Sequence, residues 1–433
     1  MKPQPIQPTA RKRLRALIGV MLCNALEWYD FAIYGILAAY ISRAFFPQDA
    51  PHTALLATFA VFGVSFVLRP FGGLVLGGLG DKWGRKPALL LAAGLMAAGT
   101  LMIGFIPSYQ TIGVMAPVLL LVARLVQGFS AGGEWGVAAS FLLEWSPQGR
   151  RGFWTSFLSV TVALGSGLAS GTAAILTSSL PAEDMSAFGW RIPFLLGGLL
   201  GAVALWLRTG VDETPIYRQA QPDREALPIR DTASEPAPWT TLRSGLFVFG
   251  FTMHWTVCYY VFLIYMPLFT QTRAGLSSAQ AAWSNTISTL VIILLVPLVG
   301  LLSDRYGRKP FLKSSCIAVI LLAVPAFWLV ATYQGFALIA GIQALFGIAI
   351  ALYSGPGPAV SVELFATRGR SRWSSVSYAL AAAVFGGFAP FIAVWLTDAL
   401  GSPLAPTAYV IAAATISLMV IRRMPETARR PLA

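Results

Sequence analysis

Long apolar stretches alternate with short polar loops along almost the whole chain. About 20 mostly apolar residues let a helix cross a bilayer. Stretches of that kind fall at 16–42, 53–80, 87–106, 113–142, 151–178, 190–208, 242–270, 280–302, 310–331, 335–362, 372–398 and 404–422, numbered here spans 1 to 12. The pattern predicts an all-α membrane protein with twelve transmembrane helices. One polar interval is much longer than the rest: residues 209–241 carry mixed charge and Pro215, Pro222, Pro228, Pro236 and Pro238, the composition of a linker. The expected organisation is a tail (1–15), a six-helix bundle (16–208), a cytoplasmic linker (209–241), a second six-helix bundle (242–422) and a tail (423–433).

The two halves repeat one another. Gly80-Asp81-Lys82-Trp83-Gly84-Arg85-Lys86 follows span 2, and Ser303-Asp304-Arg305-Tyr306-Gly307-Arg308-Lys309 follows span 8. Glu144 precedes Arg150-Arg151-Gly152 after span 4, and Glu363 precedes Arg368-Gly369-Arg370 after span 10. Asp212-Glu213-Thr214-Pro215 after span 6 matches Pro425-Glu426-Thr427 after span 12. Three motifs in register predict two pseudo-symmetric bundles, and such proteins place their working site between the repeats.

Composition agrees with a membrane protein. Apolar residues make up 56% and charged residues 11%, with a mean hydropathy of +0.68; a soluble domain carries about 25% charged residues. The net charge of +13 reports topology. Arg43, Arg191 and Arg273 fall outside and Arg69 and Arg124 within helices, while every other Lys and Arg falls in segments placed in the cytoplasm. That bias puts both termini in the cytoplasm. Basic residues scattered over many short loops do not make a nucleic-acid surface. The expected partners are a small-molecule substrate, protons and the lipid bilayer, with the chain working as a monomer. Cys23, Cys258 and Cys316 show no paired spacing, so neither a disulfide framework nor a metal site is indicated. Arg11, Lys12, Arg13 and Arg15 precede a first apolar run that holds Glu27 and Asp30 and lacks a small-x-small cleavage site, which reads as a membrane helix rather than a signal peptide. No phosphate loop or nucleophile–base pair stands out, so neither an enzyme nor a cofactor is expected.

A charge in the bilayer core costs about 3 kcal/mol on insertion scales, so each one needs a partner or a task. Asn24, Glu27 and Asp30, with Tyr34 beyond, share a face of span 1. Arg124, Gln127 and Glu134 share a face of span 4, Arg69 lies in span 2, and His254 is central in span 7 beside Trp255, Tyr259 and Tyr260. A structural ion pair of Arg124 with Glu27 or Asp30 would explain some of these charges; a proton and substrate relay would explain more of them. The expected proton-coupling residues are Glu27, Asp30 and Glu134. The expected substrate residues are Asn24, Tyr29, Tyr34, Arg69, Arg124, Gln127, Ser130, His254, Tyr259, Tyr353 and Ser354, in a cavity lined by spans 1, 4, 7 and 10. Gly355-Pro356-Gly357-Pro358 predicts a broken span 10 that frees backbone groups for that cavity. The repeated loops predict a cytoplasmic gate of Asp81, Arg85, Glu144 and Arg151 with Asp304, Arg308 and Glu363. In it an Asp accepts hydrogen bonds at a helix N-terminus and basic residues pair with the acids.

These stretches resemble the major facilitator superfamily, whose hallmark is the loop after spans 2 and 8. More narrowly they resemble its metabolite:proton symporter family, through Asn24-Ala25-Leu26-Glu27-Trp28-Tyr29-Asp30-Phe31, Leu68-Arg69-Pro70-Phe71-Gly72-Gly73 and the run Arg124-Leu125-Val126-Gln127-Gly128-Phe129-Ser130-Ala131-Gly132-Gly133-Glu134. Gly189-Trp190-Arg191-Ile192-Pro193-Phe194 adds to the likeness. The resemblance implies alternating access and proton-coupled uptake of a small metabolite such as 2-oxoglutarate, citrate, shikimate, or proline and betaine. Arg124, whose fork binds two oxygens, places a small organic acid first. Tyr259-Tyr260 and the ending Glu426-Thr427-Ala428-Arg429-Arg430 resemble the proline/betaine branch, which keeps a zwitterionic osmolyte as the alternative. A drug/proton antiporter ranks lower, because span 5 lacks the Gly-Pro motif usual there.

Overall fold

The computed structural model describes residues 10–83, 85–132, 135–147, 149–209, 238–365 and 370–430. Most of the linker, at 210–237, lies outside the described residues. Among the described residues eight helices are long and apolar enough to cross a membrane, and three shorter apolar ones, Leu90–Phe105, Met115–Ala131 and Gly189–Val203, fall in spans 3, 4 and 6. With the charge-bearing first helix they occupy all twelve expected places. Large apolar side chains such as Phe105, Trp206 and Leu294 point outward, as lipid-facing residues must, because hydrocarbon solvates them as well as the core does.

Several spans expected as single helices are interrupted. Span 1 is Ala10–Ile36 and Ala38–Phe45, and span 2 is Pro51–Val67 and Arg69–Trp83. Span 10 is Phe336–Ser354 and Gly357–Glu363, parted at Gly355-Pro356. Span 7 runs from Pro238 to Ala274 with a π-helical segment at Tyr260–Tyr265. Its cause is legible: Pro267 has no N–H to donate to the Leu263 carbonyl, and the amide of Asn285 from span 8 donates to that carbonyl instead, at 3.0 Å. Span 11 has a second π segment, Ala382–Gly386, just before Pro390. Loops are set by local chemistry. Span 7 ends at Gly275, whose φ of 68° is left-handed, and span 8 starts with a capping box from Ser277 and Gln280. Gly307, at φ 98°, makes the sharp turn between Ser278–Tyr306 (span 8) and Arg308–Thr332 (span 9).

Within the first half, span 1 packs on span 5 (Arg151–Ser179), span 3 (Arg85–Phe105) on span 6 (Ile192–Thr209), and span 2 on span 4. The most extensive contact crosses between the halves, from span 5 to span 8. Spans 2 and 4 touch backbone to backbone. A Cβ on Gly128 would stand 1.8 Å from the Ser65 carbonyl oxygen, and one on Gly72 or Gly132 equally close to the carbonyls of Phe129 and Arg69. Small residues permit this approach, which replaces the hydrophobic drive that lipid removes.

That contact generates a prediction. Gly128→Ala overpacks a rigid backbone contact at a cost of roughly 1–3 kcal/mol and lowers the thermal midpoint of the purified protein in detergent by several degrees. Gly171→Ala, with nothing within 4 Å, leaves the midpoint unchanged or raises it. Equal midpoints for the two variants would contradict the packing account.

Candidate substrate chamber and gates

Span 1 carries its two acids into separate ion pairs. Glu27 Oε1 lies 3.6 Å from Arg69 Nη2, and Asp30 Oδ2 accepts from Arg124 Nη1 at 3.0 Å. Both pairs are buried, and each is held in its own way. Arg69 lies against the rings of Phe31 and Phe66, 4.4 and 4.1 Å from their centroids. Arg124 lies 3.8 Å over the Tyr34 ring and donates to Gln127 Oε1, while Gln127 donates to Thr100 Oγ1. Such stacking supports a desolvated guanidinium without consuming its donors.

Glu27 and Arg69 face a chamber between the halves, lined also by Asn24, Trp28, Trp135 and Tyr378. Its walls are aromatic. Trp135 stacks on Tyr378 at 4.4 Å, Trp28 meets Tyr259 at 5.3 Å, and Trp255 meets Tyr259 at 5.2 Å. The polar atoms around it are incompletely bonded: Arg69 Nε and Nη2, Trp135 Nε1 and the Tyr378 hydroxyl lack hydrogen-bond partners among the described residues. Buried polar groups are normally satisfied, so several unsatisfied donors at one chamber mark it as a place for an acceptor-bearing ligand.

The expected site residues separate into three groups. Asn24, Glu27 and Arg69 line the chamber, with Tyr259 in its aromatic wall and Ser354 accepting from Trp255 Nε1 at 2.8 Å. Asp30, Tyr34, Arg124, Gln127 and Ser130 lie inside the first bundle: Tyr34 donates to the Thr58 carbonyl and Ser130 to the Ala92 carbonyl. Tyr29, expected in the cavity, instead donates to the Pro193 carbonyl and faces span 6. His254 and Tyr353 also leave the cavity. His254 Nε2 meets Ser315 Oγ at 2.9 Å in span 9, the backbone N–H of His254 donates to Ser417 Oγ in span 12 (Ala405–Arg423), and Tyr353 donates to the Phe251 carbonyl. Shared mid-depth was the basis for placing them at the cavity, but depth does not say which way a helix face turns. Glu134 lies outside the described residues. Among the described residues span 10 reaches the chamber only through the Ser354–Trp255 contact, and its break lets Gly355 pack against Gly300 and Val299 of span 8. Trp28, Trp135, Trp255, Tyr260 and Tyr378 escaped assignment as site residues. The available signal was an aromatic residue directly after each of Glu27, Glu134 and His254, and one in the serine-rich run Ser374-Ser375-Val376-Ser377-Tyr378.

Among the described residues, contacts between the halves cross both faces of the chamber. On the face of the repeated loops, Asp304 accepts the backbone N–H groups of Gly152 and Phe153 at 2.8 and 2.9 Å, capping span 5 from the other half. Arg308 donates to Asp304 at 2.8 Å and to Glu363 at 3.2 Å. The segment after span 12 joins in. Glu426 accepts N–H groups from Arg308, Lys309, Thr427 and Ala428; Thr427 donates to Glu363; Arg151 donates to the Arg430 carbonyl. Burial pushes the Glu426 carboxyl up, but its backbone N–H donors outweigh this and hold it below the usual glutamate range. The side chains of Asp81, Arg85 and Glu144 lie outside the described set. At the opposite face, Ile264 fills the space beside Gly35 and Phe388 that beside Gly63, and His52 pairs with Asp398.

The sequence matches the family model of the Major Facilitator Superfamily over residues 20–340 and 275–432. It is 35% identical over 428 residues to the proline/betaine transporter of Salmonella typhimurium, covering 97% of this chain and 85% of that one. It is 34% identical over 416 residues to the alpha-ketoglutarate permease of Escherichia coli, covering 95% and 93%. Among solved structures, the xylose transporter XylE of Escherichia coli in a partially occluded inward-open conformation superimposes with a TM-score of 0.77 at 18% identity, covering 98% of this chain and 100% of that one.

Two predictions follow from the gate. Asp304→Asn removes one charge from the cap on span 5, so it changes the maximal transport rate several-fold and leaves the equilibrium affinity for substrate nearly unchanged; equilibrium binding beside initial rates decides. Because the Glu426 pKa is lowered in the closed network, its contribution to closure is fully present at neutral pH and is lost as pH falls through that lowered value. Glu426→Gln therefore loosens the closed face at pH 7, read as faster labelling of a cysteine placed at the buried Ser156, and the difference from the chain with native Glu426 shrinks at acid pH.

Proposed function

The chain belongs to the Major Facilitator Superfamily, and we propose that it takes up a small zwitterionic osmolyte of the proline or betaine kind together with protons. It works by alternating access in a bacterial inner membrane with both termini cytoplasmic. The observation that carries this reading is the chamber of Glu27, Arg69 and the aromatic wall. A carboxylate satisfies the Arg69 guanidinium, the Trp135 N–H and the Tyr378 O–H together. The cationic end of the same solute meets π faces and the Glu27 carboxylate; a methylated ammonium has no N–H to donate, and an aromatic cage recognises it through the ring quadrupole. The relatives named for proline and betaine agree with this order of preference, whereas the sequence alone placed a small organic acid first. The organic acid stays as the second reading, because every unsatisfied donor at the chamber also suits a second carboxylate and one relative is an alpha-ketoglutarate permease.

Protons couple through Asp30. Its pair with Arg124 is the tighter of the two and lies within one bundle, away from the aromatic wall. Glu27 stands between this pair and the chamber. A substrate carboxylate drawn to Arg69 releases Glu27, whose changed field reaches Asp30. Substrate and proton then favour each other's binding, and the coupling is reciprocal.

Uptake into proteoliposomes of labelled betaine, proline, 2-oxoglutarate and citrate, with an imposed pH or sodium gradient, tests the reading. Betaine or proline accumulates under the pH gradient; accumulation of citrate or 2-oxoglutarate alone transfers the conclusion to the second reading. Arg69→Lys weakens uptake at least tenfold, about 1.4 kcal/mol, because a point charge replaces a fork. Trp255→Ala weakens betaine more than proline. Asp30→Asn abolishes accumulation and keeps solute exchange, provided the variant folds despite leaving Arg124 without its anion. An Asp30→Asn protein that still accumulates solute removes Asp30 from the coupling role.

A further inference from the structure

A second pocket lies inside the first bundle, between spans 1, 3, 4 and 6, on the far side of Glu27 from the aromatic chamber. It is lined by Asp30, Thr100, Ser130, Leu26, Ala93 and Gly201, among others. Asp30 is fully buried, and its Oδ1, the oxygen not bonded to Arg124, has no hydrogen-bond partner among the described residues. The pocket has room for ordered water. The charged and titratable groups about Asp30 are Glu27 and Tyr29 on its own span, Tyr34 beyond the guanidinium, and Arg124 on span 4.

The pocket has a direction. Leu26 precedes Asp30 by one turn in span 1, which rises outward, about 6 Å toward the cytoplasm at 1.5 Å per residue. Ala93 precedes Thr100 by two turns in span 3, which also rises outward. Gly201 follows Gly197 by one turn in span 6, and Ser130 follows Arg124 in span 4, both of which descend inward. All four helices therefore place the same end of the pocket toward the cytoplasm. Leu26, Ala93 and Gly201 at that end are half-buried and Ser130 beside them is buried, as are Asp30, Thr100 and Gly197 at the other.

We propose that this pocket is the passage by which the proton on Asp30 exchanges with cytoplasmic water, separate from the path of the solute. The inference rests on the transport reading and membrane orientation given above. The proton leaves Asp30 Oδ1 to a water in the pocket as the carboxylate forms against Arg124, and no other bond changes. Solute released from the chamber and proton released through the bundle then reach the same compartment by different doors, with Glu27 the wall between them.

The test uses the full chain in membrane vesicles. Ala93→Cys is introduced where Cys23, Cys258 and Cys316 have been replaced by Ser, and a charged, membrane-impermeant thiosulfonate is added to right-side-out or inside-out vesicles. The expected result is modification from the cytoplasmic face alone. It lowers pH-driven accumulation at least ~10-fold while solute exchange stays within about twofold, since only the protonation step is obstructed. Ala93→Leu in the otherwise native chain gives the same split and serves if the cysteine-replaced protein does not fold. Modification from the outer face, no modification from either face, or exchange lost in step with accumulation overturns the proposal. A native chain that accumulates nothing under a pH gradient instead overturns the transport reading, and this inference with it.

Discussion

A charge within hydrocarbon must be answered within a few ångströms, and this constraint organises the first bundle. Span 1 answers it twice, on two faces. The Asp30–Arg124 contact is a close hydrogen-bonded pair, backed by Gln127 and the face of Tyr34. The Glu27–Arg69 contact is looser, at 3.6 Å; both arginines keep Nε and Nη2 without hydrogen-bond partners among the described residues. The difference is physical. Rings support both guanidinium groups without using their donors, but Arg124 Nη1 is committed to Asp30 and Gln127 inside the bundle, whereas Arg69 lines the chamber, where its unpaired donors are placed for a ligand.

The same rule operates at the gate with different partners. A helix N-terminus presents N–H groups without intrahelical acceptors. Asp304 supplies the acceptor for span 5 from the opposite half, and Glu426 does so for the start of span 9. Contacts across this face are thus charge-assisted hydrogen bonds. The other face is closed by packing, with Ile264 and Phe388 seated against glycines.

Much of the fold was legible in the chain. Twelve apolar runs, the repeated Asp-x-x-Gly-Arg-Lys loop and the distribution of Lys and Arg required nothing beyond the energetics of placing a residue in lipid. Those signals are local: a run of 20 apolar residues means the same thing whatever its neighbours are. The pairing of Asp304, Arg308 and Glu363 was legible for a related reason, since their charges need partners near a helix end. Interruptions were partly legible, at Gly355-Pro356 and before Pro267, where the missing N–H is written in the sequence.

The chamber was decided by tertiary structure. Glu27 and Asp30 share a helical face in sequence, yet their three-residue offset sends one carboxylate to span 2 and the other to span 4. His254 and Tyr353 sit at the right depth and turn into their own bundle. Trp28, Trp135, Trp255 and Tyr378 come from four helices and form one wall only because spans 1, 4, 7 and 11 converge. The sequence by itself determined which residues lie in the membrane, at what depth, and that the charged ones need partners. Rotation of each helix about its axis is set by close contacts such as Gly72 with Phe129 and Gly128 with Ser65, and these depend on residues far apart in the chain. That rotation determines which donors are left for a ligand.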